Sequence, residues 1–290
     1  LFSTVYDSAN GKVVIAYRDE GNSSYGTAIV GTVSGTSISF GTPVVFDSTA
    51  AAFISAIYDS SNEKVVIAYR DDGNSFHGTA VVGTVSGTSI SFGSPVLFQS
   101  ATTNDIGATF DSTNGKVVIA YRDSGNSSYG TAIVGTVSGT SISFGSETVF
   151  ESATTFNSSL TFDSTNGKVV IAYRDSANSD YGTAVVGTVS GTSISFGSPV
   201  VFNSNGNTQY ISAAYDSTNG KVVIAYADYG NSYYGTAIVG TVSGTSISFG
   251  TAVVFESASA SHVSALYDST NEKVVIAYRD GGNSNYGTAI

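Results

Sequence analysis

Apolar residues come in short bursts along this chain, and the same bursts return at a fixed interval. Lys-Val-Val-Ile-Ala-Tyr-Arg-Asp occupies 12–19, 64–71, 116–123, 168–175 and 273–280, and in 221–228 the arginine is replaced by Ala227. Its Val-Val-Ile-Ala-Tyr core is apolar on both alternating faces, as a strand covered by layers on both sides requires. The stretch 107–150 shows the rest of the pattern. A first strand ends over 107–110, and Asp111-Ser-Thr-Asn-Gly115 reads as a turn whose aspartate accepts bonds from its own turn amides. Strands are predicted over 116–122, 131–137 and 140–144, the last two joined by Ser138-Gly139 as a tight hairpin. The fourth strand extends or bends through Gly145 into Thr148-Val149-Phe150.

This unit is written five and a half times. Tyr6-Asp7, Tyr58-Asp59, Phe110-Asp111, Phe162-Asp163, Tyr215-Asp216 and Tyr267-Asp268 mark units starting near 1, 53, 105, 157, 210 and 262. Gly-Thr-Val-Ser-Gly-Thr-Ser-Ile-Ser-Phe-Gly recurs at 31, 83, 135, 187 and 240, and a further copy would begin just past Ile290. The sixth unit therefore lacks its fourth strand, and a chain opening at Leu1 without methionine is expected to be processed or excerpted from a longer array. Val, Ile, Thr, Ser, Tyr and Gly dominate, with a turn signal in every unit segment, so helix is nearly excluded. The expected class is all-β. Four antiparallel strands per unit make the blade of a β-propeller, predicting one repeat domain over 1–290 with six blades, the last incomplete. An open β-repeat stack or solenoid is the alternative.

Composition narrows the functions. The net charge of −11 and a pI near 4.3 argue against a nucleic-acid partner, whose backbone calls for clustered cations. All six lysines share one repeat position and all five arginines another, so they form rows rather than a patch. With no cysteine there are neither disulfides nor thiolate metal sites. No run of 18 apolar residues predicts membrane insertion, and no signal peptide is recognisable in these residues. Two histidines at unrelated repeat positions, His77 and His262, offer no nucleophile–base set, so no enzyme activity is expected.

Strand direction puts the first-to-second and third-to-fourth turns on one face, nearly invariant, and the remaining connections on the other. That second face varies: Asp19-Glu-Gly-Asn-Ser-Ser-Tyr25 becomes Asp71-Asp-Gly-Asn-Ser-Phe-His77 and Asp228-Tyr-Gly-Asn-Ser-Tyr-Tyr234, and the inter-unit loops 47–53, 99–105 and 203–210 vary further, the last holding the single insertion. Variable loops on a fixed frame suggest recognition. Arginine, aspartate and an aromatic ring are the groups that bind sugar hydroxyls and acidic glycans. The candidate ligand-binding set is Arg18, Asp19 and Tyr25; Arg70, Asp71 and His77; Arg122, Asp123 and Tyr129; Arg174, Asp175 and Tyr181; Asp228 and Tyr234; and Arg279, Asp280 and Tyr286. The competing reading makes each arginine a tie between blades. No cofactor is expected. The Asp-x-Gly-Asn-Ser and Asp-Ser-Thr-Asn-Gly loops offer oxygens for calcium, but turn capping suits their spacing better.

Tyr-Asp-Ser-Thr-Asn-Gly-Lys-Val-Val-Ile-Ala-Tyr-Arg-Asp and Gly-Thr-Ala-Ile-Val-Gly-Thr-Val-Ser-Gly-Thr-Ser-Ile-Ser-Phe-Gly-Ser-Pro-Val-Val-Phe resemble repeats of structural, tail-fibre-like proteins of marine cyanophages. More loosely, they are similar to bacterial secreted β-propeller repeats, from which this chain departs by having no tryptophan. The resemblance implies a module at a virion surface or outside the cell, binding a cell-surface glycan or host receptor through several weak sites. A structural spacer or filament subunit without a ligand is the alternative, and near-identical blades leave room for self-assembly.

Overall fold

The computed structural model describes residues 2–290, and among them regular structure consists of 24 strands and three short 3-10 turns. β1 (Phe2–Asp7), β2 (Lys12–Asp19) and β3 (Tyr25–Ser34) pair antiparallel in chain order. The fourth strand is made of two pieces. β4 (Ser37–Phe40) pairs one end of β3, from Ser34↔Ser37 to Gly31↔Phe40; the start of β5 (Val44–Asp59) pairs the other end, through Ala28↔Val44 and Gly26↔Asp47. Pro43 sits in the gap between them, where its missing N–H breaks no ladder.

The connection from one blade to the next differs from the expected loop. β5 continues into the second blade and pairs β6 (Lys64–Asp71) from Ser55↔Ala68 to Asp59↔Lys64. Ala50 is paired with Tyr25 of the first blade and Ala51 with Asp71 of the second, so the ladder is handed over without an unpaired residue. Equivalent 16-residue strands are β9 (Val96–Asp111), Thr148–Asp163 and Val253–Asp268. The insertion after Asn203 alone interrupts this course: Val200–Asn203 and Thr208–Asp216 are separate strands, with Gly206 between them at φ +110°. In the last repeat the pairing is Val253–Asp268 with Lys273–Asp280 with Tyr286–Ala289, the three strands that the sequence predicts.

The sandwiched strand behaves as its composition demands. Val65, Val66, Ile67, Ala68 and Tyr69 are all fully buried, as are their counterparts over 117–121 and 169–173. Phe46, from the outer piece of one blade, meets Tyr69 of the next at 5.1 Å, and the same pair returns as Phe98–Tyr121, Phe150–Tyr173, Phe202–Tyr226 and Phe255–Tyr278 at 5.2 to 5.3 Å. Gly26 leaves space for Phe46: a Cβ at that position would collide with the phenyl ring.

The turns match their reading, with small corrections. Asp59 is buried and accepts from the Ser61 and Asn62 amides and from the Asn62 side chain, and Asp7, Asp111 and Asp163 cap their turns likewise. The hairpin predicted at Ser138-Gly139 is Gly139-Thr140, because Ser138 pairs Ser141 and Gly139 takes the left-handed φ of +61°. Lys12, Lys116 and Lys221 each donate to a threonine of their own third strand, Thr32, Thr136 and Thr241, at 2.8–2.9 Å.

The chain divides into two compact units, one holding most of residues 2–148 and the other most of 149–290. Within the first, consecutive inner strands are stitched by Ala56 N–H to Ser3 Oγ and Ala108 N–H to Ser55 Oγ, at 2.9 and 3.1 Å. Within the second, Ala213 N–H donates to Ser159 Oγ and Ala265 N–H to Ser212 Oγ, at 3.0 and 2.9 Å.

Candidate binding face

The loop between the second and third strands and the blade-to-blade crossing meet on the variable face. Ala51 N–H donates to the Ser24 carbonyl, Thr103 to Phe76, Thr208 to Asp180 and Ala260 to Tyr233, at 2.9–3.1 Å. Both segments carry left-handed residues other than glycine. In the crossing these are Phe53, Asp105, Asn157, Tyr210 and His262, with φ between +48° and +53°; in the loop each of Ser24, Phe76, Ser128, Asp180, Tyr233 and Asn285, at +60° to +66°, follows a left-handed serine at +53° to +56°. A bulky side chain in this region costs backbone energy, and such strain gathers where a side chain has to be aimed. The crossing position is also a β-bulge, with register shifts at Ala52/Ser55, Phe156/Ser159, Gln209/Ser212 and Ser261/Ser264.

The arginine of each repeat reaches into this junction. Arg70 lies with its guanidinium carbon 4.8 Å from the Phe53 ring centre and 5.2 Å from that of Phe76, while Nε meets Asp72 at 2.6 Å and Nη1 donates to Asn104 at 2.5 Å. Arg174 covers Phe156 at 4.2 Å, donates to Asn207 at 3.0 Å and pairs with Asp180 at 3.6 Å. Arg122 pairs with Asp105 at 3.0 Å, and Arg18 with Glu20 at 2.8 Å and Asp72 at 3.7 Å. All four guanidiniums are half-buried, with side chains 15–28% exposed. Asp72 belongs to the repeat after Arg18, while Asn104 and Asn207 lie on the crossings that leave the repeats of Arg70 and Arg174, Asn104 opposite Arg122 of the next blade; these are contacts of the kind the competing inter-blade role calls for.

The aspartates of the candidate set are loop caps. Asp19 accepts from Gly21 N–H, Asp71 from Gly73 and Asn74, Asp123 from Gly125, Asp175 from Ala177, Asp228 from Gly230, and Asp280 from Gly282 and Asn283. Asp123, Asp175, Asp228 and Asp280 are buried, so their carboxylates face the protein. Among the described residues no group of three or more His, Cys, Asp or Glu is placed to hold a metal. Tyr25, His77, Tyr129, Tyr181 and Tyr234 open the third strands half-buried, and Tyr286 is exposed. Among the rings that touch arginine are Phe53, Phe76 and Phe156, which sequence reasoning did not single out. Their signal was available: they stand at or beside the most changeable positions of the repeat.

The fifth repeat is built differently. Ala227 replaces the arginine, Tyr229 and Tyr233 meet edge to face at 4.1 Å, and Tyr210 stacks on His262 at 5.1 Å. Burial, reinforced by Tyr210 and Tyr233, raises the Tyr229 hydroxyl pKa, while Arg174 pulls it down. Beneath the face, Tyr278 is pushed up to about 12 by burial and by its bond to Glu256, and burial likewise raises the Tyr121 and Tyr173 hydroxyls beside Glu147 and Glu151.

The repeated antiparallel blades, four-stranded except the last, make this chain a β-propeller. Among solved structures it is similar to AofleA from Arthrobotrys oligospora, at 8% identity and a TM-score of 0.60 over 99% of this chain and 81% of that one. It is also similar to the SapL1 lectin in complex with alpha methyl fucoside (10% identity, TM-score 0.57, 99% and 90% covered). A third is the leech intramolecular trans-sialidase complexed with 2,7-anhydro-Neu5Ac (9% identity, TM-score 0.66, 100% and 67% covered). No protein-family model matches the chain, and no curated protein sequence does.

Proposed function

We propose that this protein is a non-enzymatic, multivalent carbohydrate-binding module that engages glycan through its variable face. The observation that carries the reading is the recurring junction of a half-buried arginine, a left-handed residue and a ring on one face, as in Arg70 with Phe53 and Phe76. A ring offers a stacking surface for a pyranose, and a guanidinium held in place by neighbours donates to hydroxyls or carboxylates with little ordering cost. The fold is shared with a lectin solved with a fucoside and with a sialic-acid-processing enzyme, which supports the ligand class. Several copies on one chain convert weak sites into useful avidity. The setting that suits such a module is a virion or cell surface facing a host or neighbouring cell.

The second reading, an architectural spacer, draws on the ties from arginine to Asp72 of the following repeat and to Asn104 and Asn207 on the crossings to the next blade. A glycan array separates the two, run with and without calcium on the protein and on a variant with Arg18, Arg70, Arg122 and Arg174 changed to alanine; Ala227 shows that a blade folds with that residue. Binding by the protein that falls at least tenfold in the variant supports the module. Absence of binding to every glycan leaves the spacer.

A further inference from the structure

The blade-to-blade seams within each compact unit are built from the same two faces. The second repeat sets Val65, Ile67, Tyr69, Val85 and Ile90 against Val14, Ala16, Ala28, Val30 and Phe46 of the first. Corresponding residues meet in the same way between the second and third repeats and between the fourth and fifth. Polar contacts recur with them: Ala56 N–H donates to Ser3 Oγ and Ala265 N–H to Ser212 Oγ, and the Tyr215 and Tyr267 hydroxyls donate to Thr165 and Thr218 of the preceding repeat. In the first repeat the face that would receive a predecessor is open. Val33 is 57% and Ile38 45% exposed, against 6% and 3% for Val85 and Ile90; Ile15 and Tyr17 are only half-buried, and Phe2, in the place of the buried Ile54, is 74% exposed. In the sixth repeat the opposite face is open: Leu266 is 56% exposed, against 9% for Ile57, and Ala277 is exposed where Ala68 is fully buried.

We propose that the open face of the first repeat receives the open face of the sixth repeat of a second copy of this chain, head to tail, in the packing that consecutive blades already use. The occupant is argued from the seams themselves, since each open face carries the residues that the same face buries elsewhere in the chain. Phe2, Ile15 and Tyr17 of one copy meet Leu266, Val275 and Ala277 of the other. The exposed Ser264 and Thr270 stand where Ser212 and Thr218 accept from the following repeat, and so take the Thr4 N–H and the Tyr6 hydroxyl. Burial of these apolar side chains drives the contact, as it drives the seams within the chain. The two faces differ, so a pair of copies still offers one of each, and the assembly grows with concentration rather than stopping at a dimer.

The test is sedimentation velocity of the 290-residue chain from micromolar to near-millimolar concentration. Species heavier than the single 29.6 kDa chain are expected, and their size should rise with concentration. Phe2→Asp places a charge on the first-repeat face and Leu266→Glu one on the sixth-repeat face. Both side chains are exposed in the single chain, so each variant should keep the urea midpoint of the parent. Each variant alone should associate at least about tenfold more weakly than the parent. Mixed, the two should form a one-to-one pair that grows no further, because each keeps the face that the other has lost. A chain that stays monomeric over the whole range, undiminished growth by either variant, or a mixture that behaves as the separate variants do would each overturn the assignment.

Discussion

The Phe98 ring stands 5.3 Å from that of Tyr121, and this contact joins the outer strand of one blade to the sandwiched strand of the next. Phe98 is 6% exposed and also meets Phe144 at 5.8 Å, so three aromatic rings share one seam. Each blade leans on its neighbour through this seam, which makes stability a property of adjacent repeats rather than of single ones.

Phe98→Ala is therefore expected to cost about 3–5 kcal/mol, by lost burial and by the cavity left at the seam. Phe98→Leu should cost less than half as much. Urea unfolding followed by tyrosine fluorescence measures both, and an alanine cost below about 1 kcal/mol would mean that the seam does not couple blades.

Glu151 carries a pH effect of definite sign. Burial raises its pKa, although Tyr173 donates to it at 3.0 Å and partly offsets the shift. A carboxyl whose folded pKa is raised favours the folded state at pH below its unfolded value, and that advantage is lost as pH rises through the folded value. Gln99 and Asn203 already fill the equivalent place in other repeats. Glu151→Gln should accordingly raise the melting temperature at pH 7 and lose that advantage at pH 4, as differential scanning calorimetry would show.

The turn aspartate Asp268 acts in the opposite sense. Asp268 is lowered from its ordinary value, chiefly by the Asn271 side-chain amide and then by the Asn271 backbone amide. A depressed carboxylate contributes stability above its unfolded pKa and loses it as pH falls through the folded one, so this part of the stability fades in the acid range below about pH 4. Asn271→Ala should move the Asp268 pKa upward, as carboxyl NMR shifts against pH would report; an unchanged titration would remove the amide as the cause.

Much of this was legible in the chain. A period-two pattern interrupted by Asp-Ser-Thr-Asn-Gly can satisfy its polar and apolar positions in few ways, so the strands, the turns and the capping aspartates followed from local chemistry. The two-piece fourth strand was visible as an extension through Gly145. The crossing was misread as a loop because its polar residues, such as Asp47, Ser48 and Thr49, look like turn formers, whereas hydrogen bonds to two different blades hold it extended.

The candidate face divided along the same line. Arginine and aspartate were found by their repetition, and the aspartates' role as caps is a matter of three-residue spacing. The rings beside the arginines were not found, because Phe53 and Phe76 are 17 and 6 positions from Arg70 and meet it only through a left-handed bulge and a left-handed loop. Sequence by itself determined the repeat, the β class and the chemistry available on each face, since these depend on residues close along the chain. The tertiary structure decided which groups converge: the crossings and neighbouring blades take up the arginines' donors, and the tyrosines of the fifth repeat meet one another and His262. Contacts between blades span some 20 to 50 residues, and no local pattern records them.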